Sequence, residues 1–277
     1  MPNEPIRFEP NGVLTLTTDF GTRDGYVGAM KGRLASHSTR LVIHDLAHAI
    51  EPQNVALGAA TLRSACPYFP DGTVHLGVVD PGVGTQRAGI VVLAGHHAFV
   101  GPDNGLFSLV AEKLGGIHEA REIDRQGALA SALPATTATT FHGRDIFAPT
   151  AAALALGEVR FEEIGPPHSP VDLALDRPHV DGSGMAGRVT HVDGFGNAIT
   201  NISASELPGF PEEPYVAEVG EYEITVARTY GSVAPGERLA LVGSEGFLEI
   251  AVREGSAAAT LGLDTGTKVF LTRKAST

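Results

Sequence analysis

The chain has 277 residues, 43% of them hydrophobic and 19% charged, and 20 Lys and Arg against 32 Asp and Glu give a formal net charge of −12. That length holds one large or two modest domains with a substantial core, and the excess of acid excludes the clustered Lys and Arg surface that a nucleic acid requires. A single cysteine, Cys66, excludes an internal disulfide and a multi-cysteine metal site, and no apolar stretch approaches the roughly 20 residues of a membrane span.

The N-terminal "MPNEPIRFEPNG" has acids and prolines where a secretion signal needs a basic start and an apolar core, so the expected location is cytoplasmic. "GVLTLTTDFG" (12–21) reads as a buried strand running into a loop, and Val27, Met30, Lys31 and Leu34 in the segment after it have helical spacing. "RLVIHDLA" (40–47) reads as a second strand, "PQNVALGAATLRSACPYF" (52–69) as a second helix and "GTVHLGVVD" (72–80) as a third strand. Strand, helix, strand implies parallel pairing through right-handed crossovers. "AGIVVLAG" and "HAFVGPDNG" read as consecutive strands, and "GLFSLVAEKLG" (105–115) and "GRDIFAPTAAALALG" (143–157) as helices.

Composition changes after Gly165. Residues 166–184 are rich in Pro, Gly and Asp without a sustained period and read as an interdomain connection. Beyond them come short β-like runs, "MAGRVTHVD", "YVAEV", "EYEITVARTY", "RLALVG", "FLEIAV" and "TKVFLTR", separated by turn residues. The expected architecture is an α/β domain over 1–165, with a parallel sheet and flanking helices, and an all-β barrel or sandwich over 185–277.

Ligands collect at the carboxyl ends of parallel strands, which draws attention to Asp19 after the first strand, Asp80 after the third and His142 in "TFHGRD". Taken singly, a cap, a turn acid and a hydrogen-bonded loop histidine account for them better; their joint occurrence at strand ends shifts the balance toward a site. "DPGVGTQR" carries more information: Pro81 fixes φ, Gly82 and Gly84 permit a sharp turn, and Arg87 lies seven positions beyond Asp80, where its planar fork matches the carboxylate. The loop lacks the lysine and hydroxyl of a P-loop. His44, His48, His96 and His97 do not form a metal set, since adjacent strand residues point to opposite faces and the segment holding His44 starts as a strand.

In the second domain, "HVDGFGNAITNI" (191–202) combines Asp193, Phe195 between glycines, and Asn197. An amide offers both a donor and an acceptor to a purine edge, a phenyl ring stacks, and a carboxylate accepts from an ammonium; Asp-Gly equally marks a β-turn. Ser244 in "GSEGFLEIAV" either binds a carboxylate or shapes a hairpin.

Six segments in order, "TDFGTRDGYVGAMKG", "DPGVGTQR", "GPDNG", "FHGRDIFAP", "VDGFGNAITNI" and "SEGFLEIAV", resemble the S-adenosyl-L-methionine (SAM) hydrolases, or SAM hydroxide adenosyltransferases, from about residue 13 to 273. These are relatives of enzymes that fluorinate or chlorinate the same substrate. The resemblance implies a homotrimer with an N-terminal α/β domain and a C-terminal β-barrel, the ligand lying between the N-domain of one subunit and the C-domain of the next. It implies attack of water on ribose C5′ with release of adenosine and L-methionine, SAM being the substrate and no cofactor or metal being needed. By match to the motifs, Asp80, Arg87 and His142 are the catalytic trio and Asp19 accepts the ribose hydroxyls. Asp193 holds the methionine ammonium, Phe195 and Asn197 the adenine side, Ser244 the methionine carboxylate, and the backbone from Val252 to Ala258 contacts adenine.

Two other functions are weighed against this one. A halogenase needs neutral donors around a halide, and the halogenating relatives carry a hydroxyl-bearing residue where Asp80 stands; at ~4 Å and an effective dielectric of ~20 an anionic Asp80 would repel the halide by about 4 kcal/mol. Gly143 likewise lacks the serine hydroxyl of the fluorinating relatives, and Glu245 replaces their arginine beside Ser244. A non-catalytic adenosine or SAM binding protein would use the same pocket without turnover.

Overall fold

The computed structural model describes residues 7–174, 176–181, 184–206 and 214–274. Of the expected connection 166–184, Leu175, Gly182 and Ser183 lie outside the described residues, as do residues 1–6, 207–213 and 275–277 of the two domain ranges. The chain divides into two compact units, Met1–Ala174 and Leu175–Thr277.

The first unit runs β1 (Val13–Thr18), α1 (Tyr26–His37), β2 (Val42–Ala47), α2 (Val55–Ala65), β3 (Val74–Val78), β4 (Gly89–Ala94), β5 (His97–Pro102), α3 (Ser108–Lys113), β6 (Ile117–Glu122) and α4 (Ala148–Ala155). Its six-stranded sheet has the order β2-β1-β3-β5-β4-β6. β2, β1, β3 and β5 are parallel, as the crossovers require. β4 runs antiparallel to β5 and to β6, so the sheet is mixed rather than parallel throughout. The reason is local: Ala94 pairs with His97 across the two residues Gly95 and His96, and so short a link joins only antiparallel strands.

The inner strands β1, β3, β5 and β4 are buried on both faces because helices cover both. Along β4, Val91 and Leu93 enter one core, with Met30, Leu34 and Phe147, while Ile90, Val92 and Ala94 enter the other, with Leu62, Phe99 and Leu106. α1 buries Val27, Met30 and Leu34 at helical spacing. α2 starts where the Asn54 side chain accepts from the Leu57 N–H at 2.9 Å. The expected helix over 143–157 is α-helical only over α4 and opens with a π-helical turn, Gly143–Phe147. Pro149 has no N–H to bond the carbonyl four residues back, so the ladder changes spacing just ahead of it.

The second unit contains β7 (His179–Asp181), β8 (Gly184–Val192), β9 (Ala198–Ser203), β10 (Tyr215–Val219), β11 (Tyr222–Thr225), β12 (Arg238–Val242), β13 (Phe247–Val252), α5 (Ala257–Leu261) and β14 (Lys268–Arg273). Its sheet is antiparallel in the order β11-β10-β14-β8-β9-β13-β12, with β7 beside β8. An isolated bridge from Val226 to Ala240 brings the two ends together, so the sheet is nearly a barrel around Val189, Ile202, Leu248, Ile250 and Leu271. The segment 193–197 links β8 to β9, and 243–246 links β12 to β13.

A polar chain runs through the first sheet's interior. Thr15 Oγ1 lies 2.8 Å from His75 Nδ1, and His75 Nε2 lies 3.2 Å from His97 Nδ1. Burial is the main cause that holds His75 well below its ordinary pKa, with repulsion from His97 adding to it. The neutral ring is therefore the folded form, and its stabilising effect is complete above the unfolded value of about 6.5 and lost as the pH falls below it. The thermal midpoint should drop between pH 7.5 and 5.5, and His75→Gln should shrink that drop; an equal drop in both proteins would show that other groups set the acid limit.

Candidate active site

Thr18 and Val78 pair across β1 and β3, so the chain leaves both strands level at the carboxyl edge of the sheet. The residues beyond them, Asp19 and Asp80, are thereby placed on the same edge. Past β3 the chain turns through Pro81–Thr85: Asp80 O accepts from Val83 N at 3.3 Å, and Gly82 O accepts from the Thr85 hydroxyl at 2.7 Å. Gly84 has φ +79°, and a Cβ there would lie 2.9 Å from the Thr139 carbonyl oxygen, so the turn is open only to glycine.

That turn folds Arg87 back onto Asp80. Arg87 Nε donates to Asp80 Oδ1 at 3.1 Å and its terminal NH2 donates to Oδ2, a bidentate fork with side chains only 9% and 5% exposed. The other terminal nitrogen donates to the Ala88 carbonyl at 2.7 Å, and the guanidinium sits 5.2 Å from the centre of the Phe147 ring. Removing one member of so buried a pair costs about 3–5 kcal/mol, so the fork is structural as well as a candidate for chemistry.

His142 joins the fork. Its Nδ1 lies 3.3 Å from the Arg87 nitrogen that also serves Asp80. A guanidinium only donates, so Nδ1 accepts and the neutral imidazole carries its proton on Nε2. Burial lowers the ring's pKa, Arg87 lowers it further, and Asp80 partly opposes both. The structure thus brings Asp80, Arg87 and His142 into one hydrogen-bonded group.

Neighbouring residues hold this group in place. Asn104 in "GPDNG" donates its side-chain amide to the Val79 carbonyl at 2.9 Å, fixing the residue before Asp80. Asp145 is buried within the π-helical turn, receives Arg144 Nε and NH2 at 2.7 and 2.8 Å, and accepts from Ala138 N at 2.8 Å, tying down the loop that leads to His142. The Arg144 hydrogen bond is the main reason its carboxyl lies below the ordinary range. Both residues lie inside segments singled out above, yet spacing alone gives no sign that they brace the site.

Asp19 makes no hydrogen bond to the trio; its Oδ2 accepts from Gln53 N at 2.8 Å, and Gln53 has φ +67°. A non-glycine residue in that region is uncommon, and here it aims an N–H at the carboxylate. Phe20, next in the chain, packs edge-on at 5.7 Å against Phe141, beside His142.

In the second unit, Asp193 Oδ1 accepts from Phe195 N and Asn197 N at 2.9 Å, and Oδ2 from Asn197 Nδ2 at 3.0 Å. The Phe195 ring is 84% exposed. Ser244 sits in the turn between β12 and β13, and Val252 is buried at the end of β13, where its carbonyl accepts from Gly255 N at 3.1 Å. Ala258 N donates to Gly196 O at 3.0 Å, joining that segment to the 193–197 loop. The loop also reaches Tyr230 and Glu249: Asn197 Nδ2 is 3.4 Å from the Tyr230 oxygen, and Tyr230 donates to Glu249 Oε2 at 2.7 Å. Glu249 is the residue whose signal was present and unread, a buried acid in the apolar run "FLEIAV", on the strand face opposite Leu248 and Ile250. Burial raises its carboxyl above the ordinary range, the Tyr230 hydrogen bond opposes this, and the Asp193 charge adds to it.

A family model described as the SAM hydroxide adenosyltransferase N-terminal domain matches residues 14–165, and one described as the C-terminal domain matches 187–270. The chain is 42% identical over 258 residues to the (R)-S-adenosyl-L-methionine hydrolase of Thermus thermophilus, covering 92% of this chain and 97% of that protein. A fluorinase from an Actinoplanes species is 26% identical, covering 95% of this chain and 98% of the fluorinase. A crystal structure of an uncharacterized conserved protein from Thermotoga maritima matches with a TM-score of 0.84 at 37% identity, covering 94% of this chain and 100% of that one. Among the described residues no helix is long and apolar enough to cross a membrane.

His142 titrates below the ordinary imidazole value of about 6.5, so it is neutral at pH 7 and gains charge only as the pH falls past that value. NMR titration of the ring should give a midpoint under 6.5, and a midpoint at or above it would show that burial beside Arg87 does not govern the group.

Proposed function

The chain belongs to the SAM hydroxide adenosyltransferase family, and on that premise we propose that it hydrolyses SAM to adenosine and L-methionine, with Asp80, Arg87 and His142 handling the water. The observation that carries the reading is the buried carboxylate–guanidinium–imidazole group at the carboxyl edge of the sheet. The chemistry needs help on one side only. The sulfonium leaves ribose C5′ as a neutral thioether and needs no acid, whereas the attacking water loses a proton. Asp80 accepts that proton and His142 Nε2–H orients the water oxygen, while Arg87 keeps both groups in place. No cofactor enters this scheme, because the substrate carries its own leaving group.

Substrate contacts follow the motif assignment. Asp19 takes the ribose hydroxyls with its remaining acceptor capacity, Asp193 the ammonium, Phe195 and Asn197 the adenine, Ser244 the carboxylate, and the backbone from Val252 onward the base. The hydrolase named above is named for the (R) epimer of the sulfonium, and the same preference is proposed here. The protein is proposed to work in the cytoplasm as a homotrimer, with the first-unit residues of one copy and the second-unit residues of another meeting on one SAM.

An anionic Asp80 held by Arg87 repels a halide, and Gly143 supplies no hydroxyl to one. A Cβ at Gly143 would lie 3.4 Å from Met30 Sδ and from Val78 Cγ1, an ordinary contact, so steric room does not forbid a side chain there. Water is the nucleophile that the residues fit.

Purified protein incubated with each SAM epimer should release adenosine and methionine, faster from the (R) form; adenosine bound tightly with no release would leave a binding protein instead, and 5′-halo-5′-deoxyadenosine in added halide would mark a halogenase. Asp80→Asn, which keeps an acceptor for Arg87, and His142→Ala should each lower turnover by at least ~10²-fold, the first as a lost proton acceptor and the second as a lost water-orienting group. Unchanged turnover in both would remove the trio. Co-expressed Asp80→Asn and Asp193→Asn chains should regain part of the activity that each lacks alone, because mixed assemblies contain some unaltered sites; no recovery would remove the shared site.

A further inference from the structure

Tyr230 lies outside every motif matched to the substrate, and Glu249, though inside "SEGFLEIAV", is matched to no contact; together they touch both second-unit loops that carry matched residues. Glu249 is only 8% exposed. One of its oxygens, Oε2, accepts a hydrogen bond from the Tyr230 hydroxyl; the other, Oε1, lies so close to Gly243 that a Cβ there would collide with it. The carboxyl is thus fixed from two sides, by a phenol on one and by the turn bearing Ser244 on the other.

This arrangement settles which way Tyr230 hydrogen-bonds. Burial and the Glu249 hydrogen bond raise its pKa, so the phenol keeps its proton and donates a hydrogen bond to Glu249. The Tyr230 oxygen is then an acceptor toward Asn197, and Asp193 Oδ2 is a second acceptor on the same amide nitrogen. An amide between two acceptors has one favourable sense: Nδ2 faces them and carbonyl Oδ1 is the end left over. If the phenol proton pointed at Asn197 instead, the reversed amide would be favoured on that side. A carbonyl matches a purine bearing an amino group at C6 and is mismatched to one bearing an oxo group.

We propose that Tyr230 and Glu249 are a positioning pair that fixes the sense of the Asn197 amide and so makes the site selective for a 6-amino over a 6-oxo purine. The proposal rests on the reading of Asn197 as the adenine contact. Neither residue touches the ligand in this scheme. Both act through Asn197, with Glu249 also setting the turn at Gly243.

The test is calorimetric binding of adenosine and of inosine, which involves no turnover. The unsubstituted protein should prefer adenosine, and Tyr230→Phe should shrink the adenosine-to-inosine affinity ratio by about tenfold, the usual effect of losing one hydrogen bond to a buried polar partner. Glu249→Ala should act in the same direction, and Glu249→Gln, whose amide oxygen still accepts from the phenol, should recover most of the ratio. A purely structural role would weaken both nucleosides together and leave the ratio unchanged, and that result overturns the proposal, as does a full loss of ratio in Glu249→Gln. Failure of the unsubstituted protein to bind adenosine would remove the functional reading and this proposal together; adenosine and inosine bound equally well would remove this proposal alone.

Discussion

The fork between Asp80 and Arg87 is the constraint around which the first unit is arranged. A guanidinium and a carboxylate removed from water must meet in good geometry or be excluded, because an unpartnered buried charge costs several kcal/mol and the pair recovers that only when both hydrogen bonds form. The surroundings supply the geometry. Asn104 pins the carbonyl before Asp80, a left-handed glycine permits the return of the chain, and the Ala88 carbonyl takes the spare guanidinium nitrogen. His142 gains its orientation from the same cation. One arginine therefore sets both the position of a carboxylate and the tautomer of an imidazole.

The second unit solves a related problem with less charge. Asp193 accepts three hydrogen bonds from its own loop, two from backbone and one from Asn197. The turn acid and the ligand acid suggested by sequence are the same side chain viewed from two directions: the oxygens that shape the loop still have lone pairs for a cation. The 243–246 turn obeys the same economy, since it is closed by Gly243 N donating to Phe247 O at 2.9 Å and braced from below by Glu249.

How much of this was legible depended on the range of the interaction. The apolar runs of β1, β3 and β13 and the inward spacing of Val27, Met30 and Leu34 declare themselves locally. The direction of β4 was readable in principle from the two-residue link after Ala94, whereas the pairing of β6 with β4 was not, because "IHEARE" is half exposed and shows no apolar run. β9 was not among the runs read as strands for a different reason: Ala198–Ser203 directly follows the Asp-Gly turn signal and mixes apolar with polar residues over only six positions. Asp80 and Arg87 share a seven-residue window and could be paired on sight, but the meeting of His142 with Arg87 spans 55 positions and needed the fold. Asn104 and Asp145 act through bonds to backbone, to which residue type gives little clue.

The near-closure of the second sheet has a consequence for assembly. A sheet whose end strands meet through a bridge from Val226 to Ala240 offers fewer unpaired backbone groups along its rim than an open sheet does. Another chain cannot readily extend such a sheet by adding a strand. Any assembly involving this unit must then be built from side chains and connecting loops, where recognition is read residue by residue. The stretches between strands, which in an open sheet would be spacers, become the places where a change of sequence alters both what the unit binds and what it stands beside.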